Sequence, residues 1–293
     1  MRGRQGIRTT AAAVALLCAA TLAGCSAGDG RPEAAASAPR PTPKPSPSWD
    51  PSPGSLAAVG DSITRAFDAC GVLSDCPEVS WATGTDPAVG SLAVRLLGPE
   101  GAAAKSWNLA ATGARMAELP EQMAAAAARR PELVTVMMGA NDACRPGPEL
   151  MTPVEDFRAS FAAALGRLRA GAPKAQVYVA SLPDLKRLWA TGRVSPLGRQ
   201  VWGLGVCGSM LADPEDLGPA AEARRNRVRD RVVAYNEVLR EECAKDARCR
   251  YDGGAVFGFA FEDGQLSRWD WFHPSRDGQA RLAELAYRRI STA

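Results

Sequence analysis

The sequence has 293 residues, 46% hydrophobic and 23% charged, with 35 basic side chains, 32 acidic ones and a single histidine. That length suits one large domain or two small ones. The net charge of +3 vanishes once Arg2, Arg4 and Arg8 are set apart, leaving 32 against 32, so the body of the chain has no electrostatic reason to seek nucleic acid.

Residues 1–24 read as an export signal. Arg2, Arg4 and Arg8 form a basic leader, and the apolar segment from Ala11 to Gly24 is too short to span a bilayer. Its end, Leu22-Ala23-Gly24-Cys25, resembles a bacterial lipobox, which implies cleavage before Cys25 and lipid attached to it. An ordinary signal with an incidental Cys25 is the alternative. Residues 25–54 are rich in Pro, Ala, Ser and Gly, with Pro41, Pro43, Pro45 and Pro47 at alternate positions. Such a chain buries no core and stays extended. It is expected to tether a folded domain, residues 55–293, to the outer face of the membrane, or to precede it in a secreted protein.

From Ser55 onward, short apolar strands alternate with helical patterns. Leu56–Val59 is the first strand and runs into Gly60-Asp61-Ser62. Ser62 there is either a helix N-cap or a nucleophile. Ser106–Ala110 is a weaker strand, followed by Ala111-Thr112-Gly113. Leu133–Met138 is a continuous apolar run, as expected of a strand covered on both faces, and leads into Gly139-Ala140-Asn141-Asp142. Phe157, Phe161, Leu165 and Leu168 make one stripe of an amphipathic helix. Ala175–Ala180 is a further strand. Residues 186–219 break the alternation and read as a long insertion, of the kind that borders sites. Arg224, Arg225, Arg227, Arg229 and Arg231 lie opposite a stripe of Val228, Val232, Tyr235 and Leu239, which predicts a helix with a solvated basic face. Ala255–Phe259 is the expected last strand, and Leu282, Leu285, Ala286 and Ile290 mark the final helix. Alternating β and α implies a mostly parallel sheet with helices on both faces, joined by right-handed crossovers.

Cys18 leaves with the signal and Cys25 carries the lipid, so six cysteines remain: Cys70, Cys76, Cys144, Cys207, Cys243 and Cys249. Export makes disulfides the expected use. Nearest-neighbour pairing, Cys70–Cys76, Cys144–Cys207 and Cys243–Cys249, is the simplest of the possibilities. Zinc is disfavoured, because no CxxC spacing occurs and the chain has one His. No metal or other cofactor is expected.

In open α/β sheets, ligands bind beyond the carboxyl ends of the strands. The polar segments after the strands therefore converge. His273 supplies a base with a pKa near neutrality. Asp270, three residues earlier, can hold its second ring nitrogen, Ser62 can attack, and the Ser62 N–H, a Gly113 N–H and the Asn141 side chain can hold an oxyanion. Each residue has a plainer use: Asn141-Asp142 and His273 as caps, Gly113 as a turn glycine, Asp61 as a loop brace, and Trp189, Trp269 and Trp271 as packing rather than pocket wall.

The Ser62 block GDS, the Gly113 block, Gly139-x-Asn141-Asp142 and Asp270-x-x-His273, in that order, resemble the SGNH (GDSL-type) hydrolase family, in the form of secreted actinobacterial members with three disulfides. The α/β-hydrolase elbow Gly-x-Ser-x-Gly is absent, since Thr64 stands where its second glycine would be. The resemblance covers roughly residues 56–290. It implies a three-layer α/β/α sandwich with about five parallel strands, flavodoxin-like in architecture. It also implies a serine esterase or lipase: Ser62, His273 and Asp270 catalytic, and Ser62, Gly113 and Asn141 as oxyanion hole. The substrate is a small-molecule, lipid or polysaccharide ester, and a monomer is the default. A silent surface lipoprotein that binds a glycan or lipid, and an acyltransferase with the same site, are the other readings.

Overall fold

The computed structural model describes residues 48–292. Cys25, the signal and most of the 25–54 segment lie outside the described residues. Five parallel strands form one sheet: β1 (Leu56–Gly60), β2 (Ser106–Asn108), β3 (Leu133–Met137), β4 (Gln176–Val179) and β5 (Cys249–Tyr251), in the order β2-β1-β3-β4-β5. The central strands β1 and β3 are buried at every residue, which is why LAAVG and LVTVM show no polar alternation. They run in register from Leu56 opposite Leu133 to Gly60 opposite Met137.

Helix α1 (Leu92–Lys105) carries the chain from β1 to β2, and α2 (Leu119–Arg129) carries it back across β1 to β3. A one-turn helix α3 (Ala140–Ala143) follows β3, then α4 (Val154–Gly171) leads to β4. After α5 (Leu185–Gly192), α6 (Pro196–Trp202) and α7 (Gly208–Leu211), the long α8 (Pro219–Ala244) leads to β5, and α9 (Ala255–Gly258) and α10 (Arg276–Ile290) close the fold. The β1-to-β2 step runs opposite to the other crossovers. Right-handed connections therefore put α1 on one face and α2, α4 and α8 on the other. In agreement, α2 packs on α4 and α4 on α8, while α1 packs on α10. The stripe of α4 is buried at Phe157, Phe161, Leu165 and Leu168, and Phe157 stacks on Tyr235 of α8 at 4.1 Å. No described helix is long and apolar enough to cross a membrane.

Four expectations change. Residues 255–258 are helix α9, not a strand, and the last strand is Cys249–Tyr251. The cause is Asp252: one carboxylate oxygen accepts from the Gly254 N–H and the other from the Val256 N–H. Gly253 and Gly254, both with positive φ, turn the chain there. The arginines of α8 are not a solvated face. Arg225 is fully buried, lies 4.0 Å over the Trp189 ring and donates to the Asp213 and Asp216 carbonyls. Arg229 reaches Asp184, and Arg231 donates to the Thr152 carbonyl; of the five, Arg227 is the exposed one. The insertion is not an irregular loop but three short helices, α5 to α7. Residues 49–54, placed with the linker by composition, include a segment packed on the domain: Trp49 Nε1 donates to the Ile290 carbonyl at 2.9 Å and Asp50 N to Gln176 Oε1 at 2.6 Å.

The disulfides are Cys70–Cys76, Cys144–Cys207 and Cys243–Cys249, with sequence separations of 6, 63 and 6. Removing a crosslink restores loop entropy to the unfolded chain, by about 4 kcal/mol for the long loop and about 2 kcal/mol for each short one. Paired Cys→Ala replacement at 144 and 207 should therefore lower unfolding free energy roughly twice as much as replacement of either short pair. Urea unfolding of the three double variants checks this order, and an equal or reversed order contradicts it.

Candidate active site

The end of β1 is built to hold Ser62 still. Gly60 has φ +152°, and a Cβ there would lie 2.3 Å from the Met137 carbonyl oxygen, so the first residue of the GDS block has to be glycine. Buried Gln122 of α2 clamps the same residue, accepting from Gly60 N at 2.8 Å and donating to Gly60 O at 3.0 Å. Asp61 is fully buried, and its Oδ1 accepts from Ile63 N at 3.0 Å. Gln279 of α10 donates to the Ile63 carbonyl and accepts from Trp81 N. The chain leaves β1 through a series of turns, not a helix. Ser62 therefore caps nothing, and its hydroxyl is directed to His273 instead.

Asn141 and Asp142 come from α3. The turn into α3 passes through Gly139, φ +132°, where a Cβ would meet Leu182 and Phe157 side chains at 2.8 and 2.9 Å. Asn141 Nδ2 donates to the Ala114 carbonyl at 2.9 Å, and Asp142 Oδ2 accepts from Met116 N at 2.9 Å. Ala111 N donates to the Gly60 carbonyl at 3.1 Å. The loop carrying Gly113 is thus pinned from both sides, while Gly113 itself is exposed with φ +82°. Among the described residues, no acceptor meets the N–H of Ser62 or of Gly113.

His273 and Asp270 sit on the loop before α10. Ser267 N donates to the His273 carbonyl and Trp271 N to the Ser267 carbonyl, both at 2.7 Å. This closes a tight turn in which Trp271 takes φ +51°, a conformation that costs a bulky residue and needs such support. The cap of α10 is Ser275, whose Oγ accepts from Gly278 N, so His273 is free of that duty. His273 Nε2 lies 2.9 Å from Ser62 Oγ, and His273 Nδ1 lies 2.5 Å from Asp270 Oδ2. A carboxylate at Nδ1 keeps the ring proton there and leaves Nε2 to accept from the serine hydroxyl. The other oxygen of Asp270 accepts from the N–H groups of Phe272 and His273 at 2.9 and 3.0 Å. Trp202 Nε1 of the insertion donates to the Asp270 carbonyl at 2.7 Å.

Burial opposes charge on the His273 ring, but the Asp270 carboxylate, helped by Asp61 and Asp68, outweighs it and raises its pKa above the usual value. Burial likewise works to raise Asp270. The charge and hydrogen bond of His273 and two backbone N–H groups prevail, and the carboxyl stays below its usual range. Asp61 is pushed by burial up to about 6, against the Ile63 N–H and the charge of His273. Burial also raises Asp142, opposed by Thr152 and the Met116 N–H.

One acidic residue at the site has no signature in the sequence. Asp68 is 3% exposed, takes φ +59°, and has a carboxylate oxygen without a hydrogen-bond partner among the described residues. Its carboxylate, that of Asp270 and a His273 ring nitrogen all lie within 4.8 Å of one another. Asp tolerates left-handed turns, so beside Cys70 it reads as a turn residue. These three groups are also the donors near Ser62 that suit a metal ion, but a cation there would have to take Nδ1 from Asp270. Among the described residues, the other cluster of such donors, Cys70, Cys76 and Glu78, has its sulfurs tied in a disulfide. Of the tryptophans, Trp189 is buried under Arg225, while Trp269 and Trp271 line a cleft on the Asp68 side.

The geometry can be set beside known proteins. A family model described as GDSL-like Lipase/Acylhydrolase matches residues 56–286. No curated protein matches the chain by sequence. Among solved structures it is similar to TesA, with 20% identity and a TM-score of 0.47 over 80% of this chain and 97% of that one. It is similar to phospholipase A1 from Streptomyces albidoflavus NA297, with 18% identity and a TM-score of 0.44 over 82% and 100%. It is also similar to the salicylyl-acyltransferase SsfX3 from a tetracycline biosynthetic pathway, with 19% identity and a TM-score of 0.47 over 82% of this chain and 55% of that one.

Because the chain has one histidine, its imidazole gives one NMR titration curve. That curve should have its midpoint above 6.5, the ordinary histidine value. Asp270→Asn should lower the midpoint most and Asp68→Asn less, since each removes a negative charge beside the ring. An unchanged midpoint in Asp270→Asn would contradict the assigned ion pair.

Proposed function

Starting from the fact that the chain belongs to the GDSL-like lipase/acylhydrolase family, we propose that it hydrolyses carboxylic esters through an acyl-enzyme on Ser62. The observation that carries this reading is the 2.9 Å contact of Ser62 Oγ with a His273 ring whose other nitrogen is held by Asp270. In the proposed reaction Ser62 Oγ bonds to the acyl carbon while its proton passes to His273 Nε2. The carbonyl oxygen becomes an oxyanion, held by the N–H groups of Ser62 and Gly113 and by Asn141 Nδ2. Collapse breaks the bond to the alcohol oxygen, which takes the proton back from His273. Water then repeats the sequence on the acyl-enzyme: His273 takes its proton, the acid is released, and Ser62 recovers its hydrogen. Asp270 stabilises the imidazolium in both halves. Asp61 and Asp142 serve by bracing the donors, and no step requires a cofactor.

Export to the outer face of the membrane, through lipid on Cys25, is part of the same proposal. Three disulfides within one domain support an oxidising compartment.

The full chain should turn over p-nitrophenyl esters and react with a fluorophosphonate probe at Ser62. Ser62→Ala and His273→Ala should each lower kcat by at least about 10⁴-fold, and Asn141→Ala by about 10² to 10³-fold with KM little changed. Undiminished hydrolysis by Ser62→Ala would sink the proposal. Since neutral His273 is the base, kcat/KM should rise with pH through the His273 pKa, with a midpoint above 6.5. A profile flat down to pH about 4 would exclude His273 from that role.

A further inference from the structure

Beside Ser62 lies a partly enclosed cavity of about 120 Å³. Ser62, Asn141 and His273 form its polar lining. Its apolar wall is Ile63, Ala140, Leu185, Leu188, Val206 and Phe272, together with the Cys144–Cys207 disulfide. Leu185 and Leu188 belong to α5, and Val206 and Cys207 to the segment before α7. About half of the apolar wall is therefore supplied by residues 185–207, and the rest by the segments after β1 and β3 and before α10.

We infer that this cavity is the acyl subsite, and that it restricts the substrate to esters of short acyl groups, from acetyl to about butyryl. This rests on the reading of Ser62 as the nucleophile. Three observations carry it. The first is enclosure. The acyl group stays on the enzyme through both half-reactions, whereas the alcohol must leave and water must enter, so a partly enclosed space with an apolar wall beside Ser62 suits the acyl half. The second is size. An apolar cavity of about 150 Å³ holds a benzene ring, so about 120 Å³ holds a chain of about four carbons. A longer chain exceeds that volume, and its further methylenes gain no burial there.

The third is rigidity. The insertion is fastened at several points, as a wall is and a swinging lid is not. The disulfide joins it to α3. Asp184 caps α5 through Lys186 N and accepts from Arg229 of α8. Arg225 holds the Asp213 and Asp216 carbonyls while covering Trp189. Trp202 is bonded to the catalytic loop at the Asp270 carbonyl. The larger cleft bordered by Asp68, Trp269 and Trp271 is not lined by Ser62 or His273 and does not extend this cavity.

The test is kcat/KM of the full chain, cysteines oxidised, on p-nitrophenyl acetate, butyrate, hexanoate and decanoate. Each methylene up to butyrate should raise kcat/KM by about fourfold, and decanoate should fall at least about tenfold below butyrate. Val206→Phe, which fills part of the cavity from its wall, should cut butyrate turnover by about tenfold or more relative to acetate. Val206→Ala, at a half-buried position that tolerates truncation, should shift the optimum toward hexanoate; thermal melts establish that both variants fold. A preference for decanoate, or chain-length profiles unmoved by both Val206 variants, overturns the short-acyl assignment and leaves the esterase reading standing. No turnover of any ester by folded protein removes both.

Discussion

Two side chains 211 residues apart, Ser62 and His273, meet at 2.9 Å, and much of the surrounding structure serves to hold that contact. Ser62 is fixed from below by β1, from one side by Gln122 of α2 and from the other by Gln279 of α10. His273 is fixed by its own tight turn and by Asp270. The two halves are also joined behind the ring, where Ser267 Oγ donates to the Asp68 carbonyl at 2.7 Å. A hydrogen bond between neutral side chains contributes only about 1 kcal/mol, too little to draw distant segments together. The contact is a consequence of the sheet and of buried polar clamps, and its geometry is as rigid as they are.

The strand order explains where those clamps lie. In a β2-β1-β3-β4-β5 sheet, the chain leaves β1 in one direction and β3 in the other, so a crevice opens between their carboxyl ends. Ser62 follows β1 and Asn141 follows β3, which places both on that crevice. The same place gathers buried carboxylates: Asp61, Asp68, Asp142 and Asp270 are each at most 4% exposed. Burying ionised groups is expensive unless they find partners. Asp270 finds three, from His273 and two backbone N–H groups, and its pKa falls; Asp61 and Asp142 each have an oxygen without a partner among the described residues, and their pKa values rise. Strain gathers here too, at Asp68 and Trp271 with their positive φ. Such costs cluster where geometry matters more than stability.

How much of this is readable in the sequence depends on the kind of signal each part leaves. Runs such as LVTVM announce buried strands because burial on both faces demands unbroken apolar residues. Three of the four polar blocks are legible because each follows a strand, and two of these carry a glycine that the geometry demands, at 60 and 139; the fourth, Asp270-x-x-His273, is legible from the single histidine and its place before the final helix. The final strand is easily misplaced because three residues, Cys-Arg-Tyr, leave no pattern, while AVFGF looks like a strand until Asp252 and two glycines turn it into α9. The arginines of α8 look solvated because periodicity along one helix cannot show that another segment packs over its polar face. Asp68 is invisible for a related reason. Its role arises from contact with residues about 200 positions away, and its local sequence is that of an ordinary turn.

The insertion is subject to the same limit. Residues 186–219 lack the periodicity of a long helix and the runs of a strand, and sequence alone reads them as an insertion. In the folded chain residues 185–211 are anchored by a buried arginine, a capping aspartate and a disulfide, and they present Leu185, Leu188 and Val206 toward Ser62. The hydrogen bond from Trp202 to the Asp270 carbonyl joins the wall to the turn that carries Asp270 and His273. In the proposed reaction, the wall that would select the acyl group and the turn that carries the proposed base are thus neighbours joined at one backbone carbonyl. The long-loop disulfide belongs to the same wall, since Cys144 and Cys207 both line the cavity beside Ser62.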